Sequence, residues 1–397
     1  MFSYFPKPPG SHFVPMLYGI ALAGVMAAIW LSEGSLYPLE PQTVGNHAYR
    51  ELWAHHLEGP PKDPHGAVEM FRQAVAMDPA FPYRWSDLGD AMAAAGNWDV
   101  AGYCFRRSVE LAPNSPQIAM RAANFHLRQG ETDPALRLGA TVLRVTPDYD
   151  SMVFNSWVRF GGELNQILQI GIGTNARAAE AFFRFLIGAN DESRLSQTWR
   201  WMESRSFVTR PVATLWAGWL LGRHRESDAF PIWKRYAALN SGYGVSNWID
   251  NSGFENEPTG QGFDWRIQPS PGVTTGLDTS VVHSGRSSLR IEFDGSENID
   301  YHHVTQRVWL PPGHYRLAAW MRTANLSTDQ GLALTLAGAS TPALTGTHDW
   351  TRVSTEITVP NGTSPGEVQV VRQHSWRFEG GLRGATWIDD VEIRRIE

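Results

Sequence analysis

The chain has 397 residues, more than one hydrophobic core usually serves, so two or more domains are expected. Charged residues are 19% and aromatic residues 12%, with 17 Trp, which excludes a disordered chain. The net charge of −6 gathers late: from Asn247 onward 12 Arg and no Lys face 18 acids, a balance that argues against nucleic acid, whose phosphates need a basic face. Cys104 is the only cysteine, which rules out an intrachain disulfide and a Cys-based zinc site and reads as a small buried hydrophobe.

In chain order, residues 13–31, "FVPMLYGIALAGVMAAIWL", form an uncharged run of 19, just enough to cross a bilayer as a helix. Lys7 and His12 precede it while Glu33 and Glu40 follow. The charge bias therefore predicts a cytoplasmic stretch over 1–12, a signal anchor over 13–31, and export of all that follows. A cleaved signal peptide is the alternative. Either way the bulk of the chain is expected outside the cytoplasm, on the periplasmic side of a cell membrane if the anchor is kept.

Pro79, Pro113 and Pro147 then recur at a spacing of 34, each closing a similar phrase: "AVEMFRQAVAMDP", "VAGYCFRRSVELAP", "ALRLGATVLRVTP". In the middle unit Trp85, Leu88 and Gly89 take the bulky, bulky and small positions of a first helix. Ala101 and Phe105 take the packing positions of a second, with Gly96 at the turn between them and Gly130 repeating it. A small residue lets the paired helix approach, and Pro stops the second helix. These residues resemble the tetratricopeptide repeat. The resemblance implies an α-solenoid over 45–240, best matched over 48–147, with a groove for a partner protein. The next unit carries Gly139 where the large aromatic is usual. Beyond Asp150 the pattern decays but helical hairpins continue, and Trp199, Trp201, Trp216, Trp219 and Trp233 read as core between helices. "GIGTNA" at 171–176 fits a dinucleotide fingerprint in letters only; with no parallel sheet to carry it, it reads as a loop between helices.

From Asn251 the texture changes to short alternating runs between Gly, Pro, Asn and Asp turns: "SSLRIEF", "HHVTQRVWL", "HYRLAAWMRT", "LALTLAG", "DWTRVSTEITV", "EVQVVRQ", "TWIDDVEI". Period-two runs of this length predict an antiparallel β-sandwich over 247–397, with "LPPGHY" as a hairpin turn. The order "NSGFENEPTGQGFDWRI", "HSGRSSLRIEF", "VTQRVWLPPGHYRLAAWMRT", "ATWIDDVEI" resembles carbohydrate-binding modules with a galactose-binding-like jelly roll, across 249–397. That resemblance implies a structural calcium between Glu255 and Asp390, unless these pair with Arg or face solvent. It also implies a sheet face that stacks sugar on aromatic rings. Trp320 and Arg322 would share one face, with Gln306 on the neighbouring strand and Arg372 and Trp376 at its lip. The competing reading makes Trp320 and Trp387 sandwich core. Trp265 and Trp350 are expected at loops or strand starts, packing the sandwich edge.

The whole chain thus reads as multidomain, α then all-β, and non-catalytic. It would be a membrane-anchored envelope adaptor in surface-polysaccharide assembly or secretion, its solenoid holding a protein and its sandwich touching glycan. One rival is an adaptor whose sandwich binds no sugar. A glycosidase is another, but that chemistry needs two carboxylates across a cleft, and no motif supplies the pair.

Overall fold

The computed structural model describes residues 63–160, 162–361, 366–376 and 381–396. The expected cytoplasmic stretch 1–12, the anchor 13–31 and the start of the first repeat lie outside the described residues. Among the described residues no helix is long and apolar enough to cross a membrane. The chain divides into two compact units, one ending at Gly171 and one running from Ile172 to Glu397.

The first unit holds α1 (Pro64–Met77), α2 (Pro82–Ala94), α3 (Trp98–Leu111), α4 (Pro116–Arg128), α5 (Thr132–Val145) and α6 (Asp150–Phe160). Pro at the first helical position costs no hydrogen bond, and it opens α1, α2 and α4. Gly96 and Gly130 turn the chain between paired helices at φ of 81° and 75°, a conformation that favours glycine. Pro79 and Pro113 lie in the turns after α1 and α3, and Pro147 opens a short 3-10 turn before α6.

Packing follows the repeat positions. Leu88, Ala101 and Phe105 are buried, and a Cβ added to Gly89 would stand 3.0 Å from the Phe105 ring. Trp85 is half-buried and donates its indole N–H to the Pro79 carbonyl at 2.8 Å. Gly139, the departure from the repeat, has a partner: Trp157 of α6 fills the space a side chain there would take. A Cβ on Gly139 would lie 2.6 Å from that indole, and one on Gly171 2.7 Å from it, so two glycines clamp one ring. Cys104 is buried, and burial pushes its thiol up to about 11, as an inert core residue requires.

The second unit opens with α7 (Ala176–Ala189), α8 (Glu192–Ser204), α9 (Arg210–Leu221) and α10 (Glu226–Ile232), which widens into a π-helical turn at Trp233–Ala237. "GIGTNA" ends a π-helical turn and supplies Asn175, whose side chain caps α7 by accepting the Ala178 N–H. Pro231 inside α10 lacks a backbone N–H, a physical cause for the widened turn that follows it. Trp199, Trp216 and Trp219 are buried in a continuous aromatic stack with Phe183, as core expected between helices should be.

Among the described residues ten strands follow, in two antiparallel five-stranded sheets ordered β1-β4-β9-β6-β7 and β2-β3-β10-β5-β8. Their ranges are β1 Arg266–Ile267, β2 Val273–Asp278, β3 Ser288–Asp294, β4 Tyr301–Arg307, β5 Gly313–Leu326, β6 Ala333–Leu336, β7 Ala339–Ser340, β8 Gly346–Val359, β9 Glu367–Arg372 and β10 Arg383–Arg395. All seven expected runs are strands. The expected hairpin at "LPPGHY" is not one: β4 pairs with β1 and β9, whereas β5 pairs with β10 and β8. The two prolines carry the chain from one sheet to the other instead, and Tyr315 pins the crossing by donating its hydroxyl to the Pro311 carbonyl at 2.7 Å.

The sandwich core gathers Phe254, Trp265, Leu289, Ile291, Leu317, Val368, Val370 and Ile388, all fully buried. At roughly 1.5–3 kcal/mol for each large apolar side chain removed from water, this layer dominates the stability of the unit. Trp265 lies one residue before β1 and belongs to this core rather than to an edge. It stacks on Phe254 at 5.1 Å between ring centres.

The solenoid expected as one body over 45–240 is divided, because α7–α10 share a unit with the strands. Trp233 donates its indole N–H to the buried Asp250 carboxylate at 2.8 Å, and Phe230 packs against Phe263 and Trp309. A Cβ on Gly262 would lie 2.0 Å from the Trp233 ring, so only glycine fits at that approach. From α10 onward the helical chain buries Phe230 and Trp233 against the loop residues Phe263 and Trp309, contacts that impose no period of 34.

Candidate functional site

Cross-strand register sorts the expected glycan residues. Trp320 and Arg322 alternate with the buried Ala319 and Met321 on β5, so both project from the outer face of their sheet. On the central strand β10, Trp387 pairs with Arg322 on one side and Arg290 on the other, completing an Arg–Trp–Arg row. Trp387 is nonetheless buried. The Arg290 guanidinium lies 5.8 Å from its ring centre, and its indole N–H is given to Asp278 at 2.8 Å. Burial pushes the Asp278 carboxyl up, but hydrogen bonds from Ser280, Trp387 and the Val281 N–H prevail and bring it to about 2.

The loop between β2 and β3 folds over this face. His283 stacks on Trp320 with ring centres 4.1 Å apart and meets Trp350 edge-on. Trp350 is half-exposed within β8. Trp320 is thus outer-face, not core, and its exposed side is taken by an imidazole.

Asp389 and Asp390, neighbours on β10, converge on that same loop. A register shift falls between Asp389 and Glu392, and Asp390 takes a left-handed φ of 46°. Asp389 accepts the His283 and Ser284 backbone N–H groups at 2.9 and 3.1 Å. Asp390 accepts the Ser284 hydroxyl at 2.8 Å and contacts His283 Nδ1 at 2.7 Å.

Glu255 reaches the same loop, accepting the Arg286 backbone N–H at 2.8 Å and its Nε at 3.3 Å. Glu255 and Asp390 therefore do approach one loop, but N–H and O–H donors already engage their oxygens. Among the described residues no group of three or more His, Cys, Asp or Glu side chains could hold a metal ion. Calcium takes six or more oxygens, and at Glu255 and Asp390 the Arg286, His283 and Ser284 donors would have to give way to it. The Arg pairing weighed for Glu255 is the arrangement found.

Gln306 does not join Trp320. Its strand, β4, belongs to the other sheet, and its side chain is buried, accepting the Asp250 N–H at 3.1 Å and donating to the Asp250 carbonyl at 2.8 Å. Alternation along a strand tells inward from outward, not which sheet a strand enters. Arg372 is also buried. It donates to Asn298 Oδ1 at 2.9 Å, to the Ile299 carbonyl and to Thr328 Oγ1 at 3.1 Å, tying the end of β9 to the loops before β4 and before β6. Desolvation lowers its pKa, while Asp329 and Asp300 oppose that shift.

Trp376 stands on this scaffold and is 91% exposed. The residue before it is held fast: Ser375 donates its hydroxyl to Asp329 at 2.6 Å and its N–H to Asn298 at 3.0 Å. His374 meets the Trp376 ring edge-on at 5.5 Å. An indole that large, left in water on anchored backbone, offers a flat apolar face at no ordering cost for the residues beneath it. Of the five residues expected to touch sugar, Trp376 alone is presented fully to solvent. Arg322 is half-exposed and lies 3.8 Å from Asp349.

No protein-family model and no curated protein matches the chain. Among solved structures, it is similar to the CBM22-1 xylan-binding domain of Paenibacillus barcinonensis Xyn10C (14% identity, TM-score 0.27), over 37% of this chain and 92% of that one. It is also similar to TmCBM61 in complex with β-1,4-galactotriose (20%, TM-score 0.25), over 38% and 98%. A third is MamA, residue 41 to its end, from Desulfovibrio magneticus RS-1 (13%, TM-score 0.28), over 41% and 96%. At these scores the likenesses carry no weight for function.

Proposed function

We propose that the protein is a non-catalytic adaptor whose sandwich unit contacts glycan through Trp376 and whose first helical unit takes a protein partner. The observation that carries this reading is the solvent-facing indole on a loop braced by Arg372, Asn298 and Ser375. Sugar C–H faces stack on such a ring, and the polar group of His374 lies beside it for hydroxyls. A place at the envelope, with residues 13–31 as anchor and the rest exported into surface-polysaccharide assembly, fits the sequence of that segment. The test is a glycan array with the full chain, wild type and W376A. Binding that W376A abolishes supports the proposal, and binding that W376A leaves intact refutes the role of this ring.

A second reading, an adaptor that binds no sugar, draws on a specific observation. The expected face is covered, Trp320 by His283, while Gln306 is buried in the other sheet. An array with no bound polymer selects it.

A further inference from the structure

Outside the sandwich, one face of α3 has no covering element among the described residues. Tyr103, Arg106, Arg107 and Glu110 follow one another at helical spacings of three, one and three, and with Pro79 and Trp85 they line a recess in the first unit. Tyr103 is 53% exposed and meets Trp85 edge-on, ring centres 5.8 Å apart. The Trp85 N–H is spent on the Pro79 carbonyl, so the aromatic floor is fixed in place and offers ring faces rather than a donor.

The rim is cationic and only half neutralised. Arg107 pairs with Glu110 at 3.0 Å. Arg106 is exposed and has no ion-pair partner among the described residues. A ring-walled recess beside a guanidinium that has no ion-pair partner among the described residues is complementary to an apolar ring flanked by a carboxylate. The fixed floor lowers the ordering cost of binding, and the loose arginine supplies both a bidentate donor and attraction at a distance.

We propose that this recess docks a short acidic segment of a partner protein, in which Phe, Tyr or Pro stands next to Asp or Glu. The proposal deepens the reading that the first unit takes a protein partner, by naming where the segment lies and what chemistry it carries. It does not depend on glycan binding by the sandwich.

The test is fluorescence polarisation with the full chain and a labelled, end-blocked peptide, Glu-Phe-Asp-Pro-Glu-Phe. A matched peptide with Lys for each acid and a galacturonate oligomer serve as competitors. The expected result is saturable binding that weakens as salt rises, loses about tenfold or more in both Y103A and R106E, and resists both competitors. Both side chains are exposed, so the variants should melt like wild type, and W376A should bind the peptide normally. No saturable binding, equal binding of the Lys peptide, or unchanged binding in Y103A and R106E would each overturn the assignment. So would competition by galacturonate, which would give the recess to an acidic glycan. A protein partner still captured by R106E would keep the adaptor reading and sink this recess alone.

Discussion

The indole N–H of Trp233 points at the carboxylate of Asp250 across 2.8 Å, joining the last helix to the residues that open the sandwich. Asp250 also accepts the N–H groups of Leu239, Asn240 and Asn251, while its own backbone holds Gln306 from β4. One buried carboxylate thus organises helix, linker and sheet. A fragment begun at residue 247 would lose Trp233 and leave Phe263 and Gly262 without their cover, so the smallest piece expected to fold starts near Ile172. Circular dichroism melts of the two fragments check this.

Burial raises the Asp250 pKa above its usual 3.8, against the pull of its hydrogen bonds. A raised native pKa means that the folded state holds the proton more tightly than the unfolded one. Its stabilising effect is full below about pH 3.8 and is lost as pH rises through the native value. Asp389 is raised for the same leading reason and acts in the same sense. D250N should therefore flatten part of the acid-side slope of stability against pH. At neutral pH it should cost about 1–3 kcal/mol, since an amide cannot accept all four donors as the carboxylate does. Urea unfolding across pH 3–8 checks both statements.

Asp278 works in the opposite direction. Its native pKa of about 2 lies below the usual value, so its contribution is present above pH 3.8 and fades as pH falls toward 2. D278N should leave stability near pH 2 unchanged and lower it at pH 7. Trp387 fluorescence should report the loss, because its N–H partner changes.

Gly139→Ala tests the clamp around Trp157. Alanine gains about 1 kcal/mol of helix propensity over glycine. Overpacking costs about 1–3 kcal/mol, and an added Cβ would stand 2.6 Å from the Trp157 ring, which already lies too close to Gly171 to leave room for a Cβ there. The expected net effect is destabilisation of the first unit. Gly89→Ala meets Phe105 at 3.0–3.2 Å from one direction and should come out nearer neutral. Thermal melts of the pair decide it.

Gln306→Ala should destabilise the second unit by about 2–3 kcal/mol, two buried hydrogen bonds being lost at once. Any sugar affinity at Trp376 should be unchanged in the folded fraction. A selective loss of sugar binding at wild-type stability would return Gln306 to the ligand face.

Calcium should not raise the melting temperature, nor a chelator lower it, because Arg286, His283 and Ser284 already engage Glu255 and Asp390. E255Q should weaken the β2–β3 loop instead. A calcium-dependent shift in differential scanning calorimetry would refute this.

The sequence alone determined what local periodicity encodes. A spacing of 34 placed paired helices, Gly89 and Phe105 against each other, and alternation located the strands and put Trp320 and Arg322 on one face without saying whether that face was core or solvent. Those signals are written within a few residues of each other, where backbone sterics and the pleat set direction. Which sheet a strand joins is decided by pairing with residues far along the chain. Gln306 therefore moved to the other sheet, "LPPGHY" became a crossing and α7–α10 went to the sandwich. Exposure is likewise a sum over everything nearby: of the two indoles expected to stack on sugar, His283 covers Trp320 from a distant loop, while Trp376, with nothing among the described residues folded across it, keeps its ring in water.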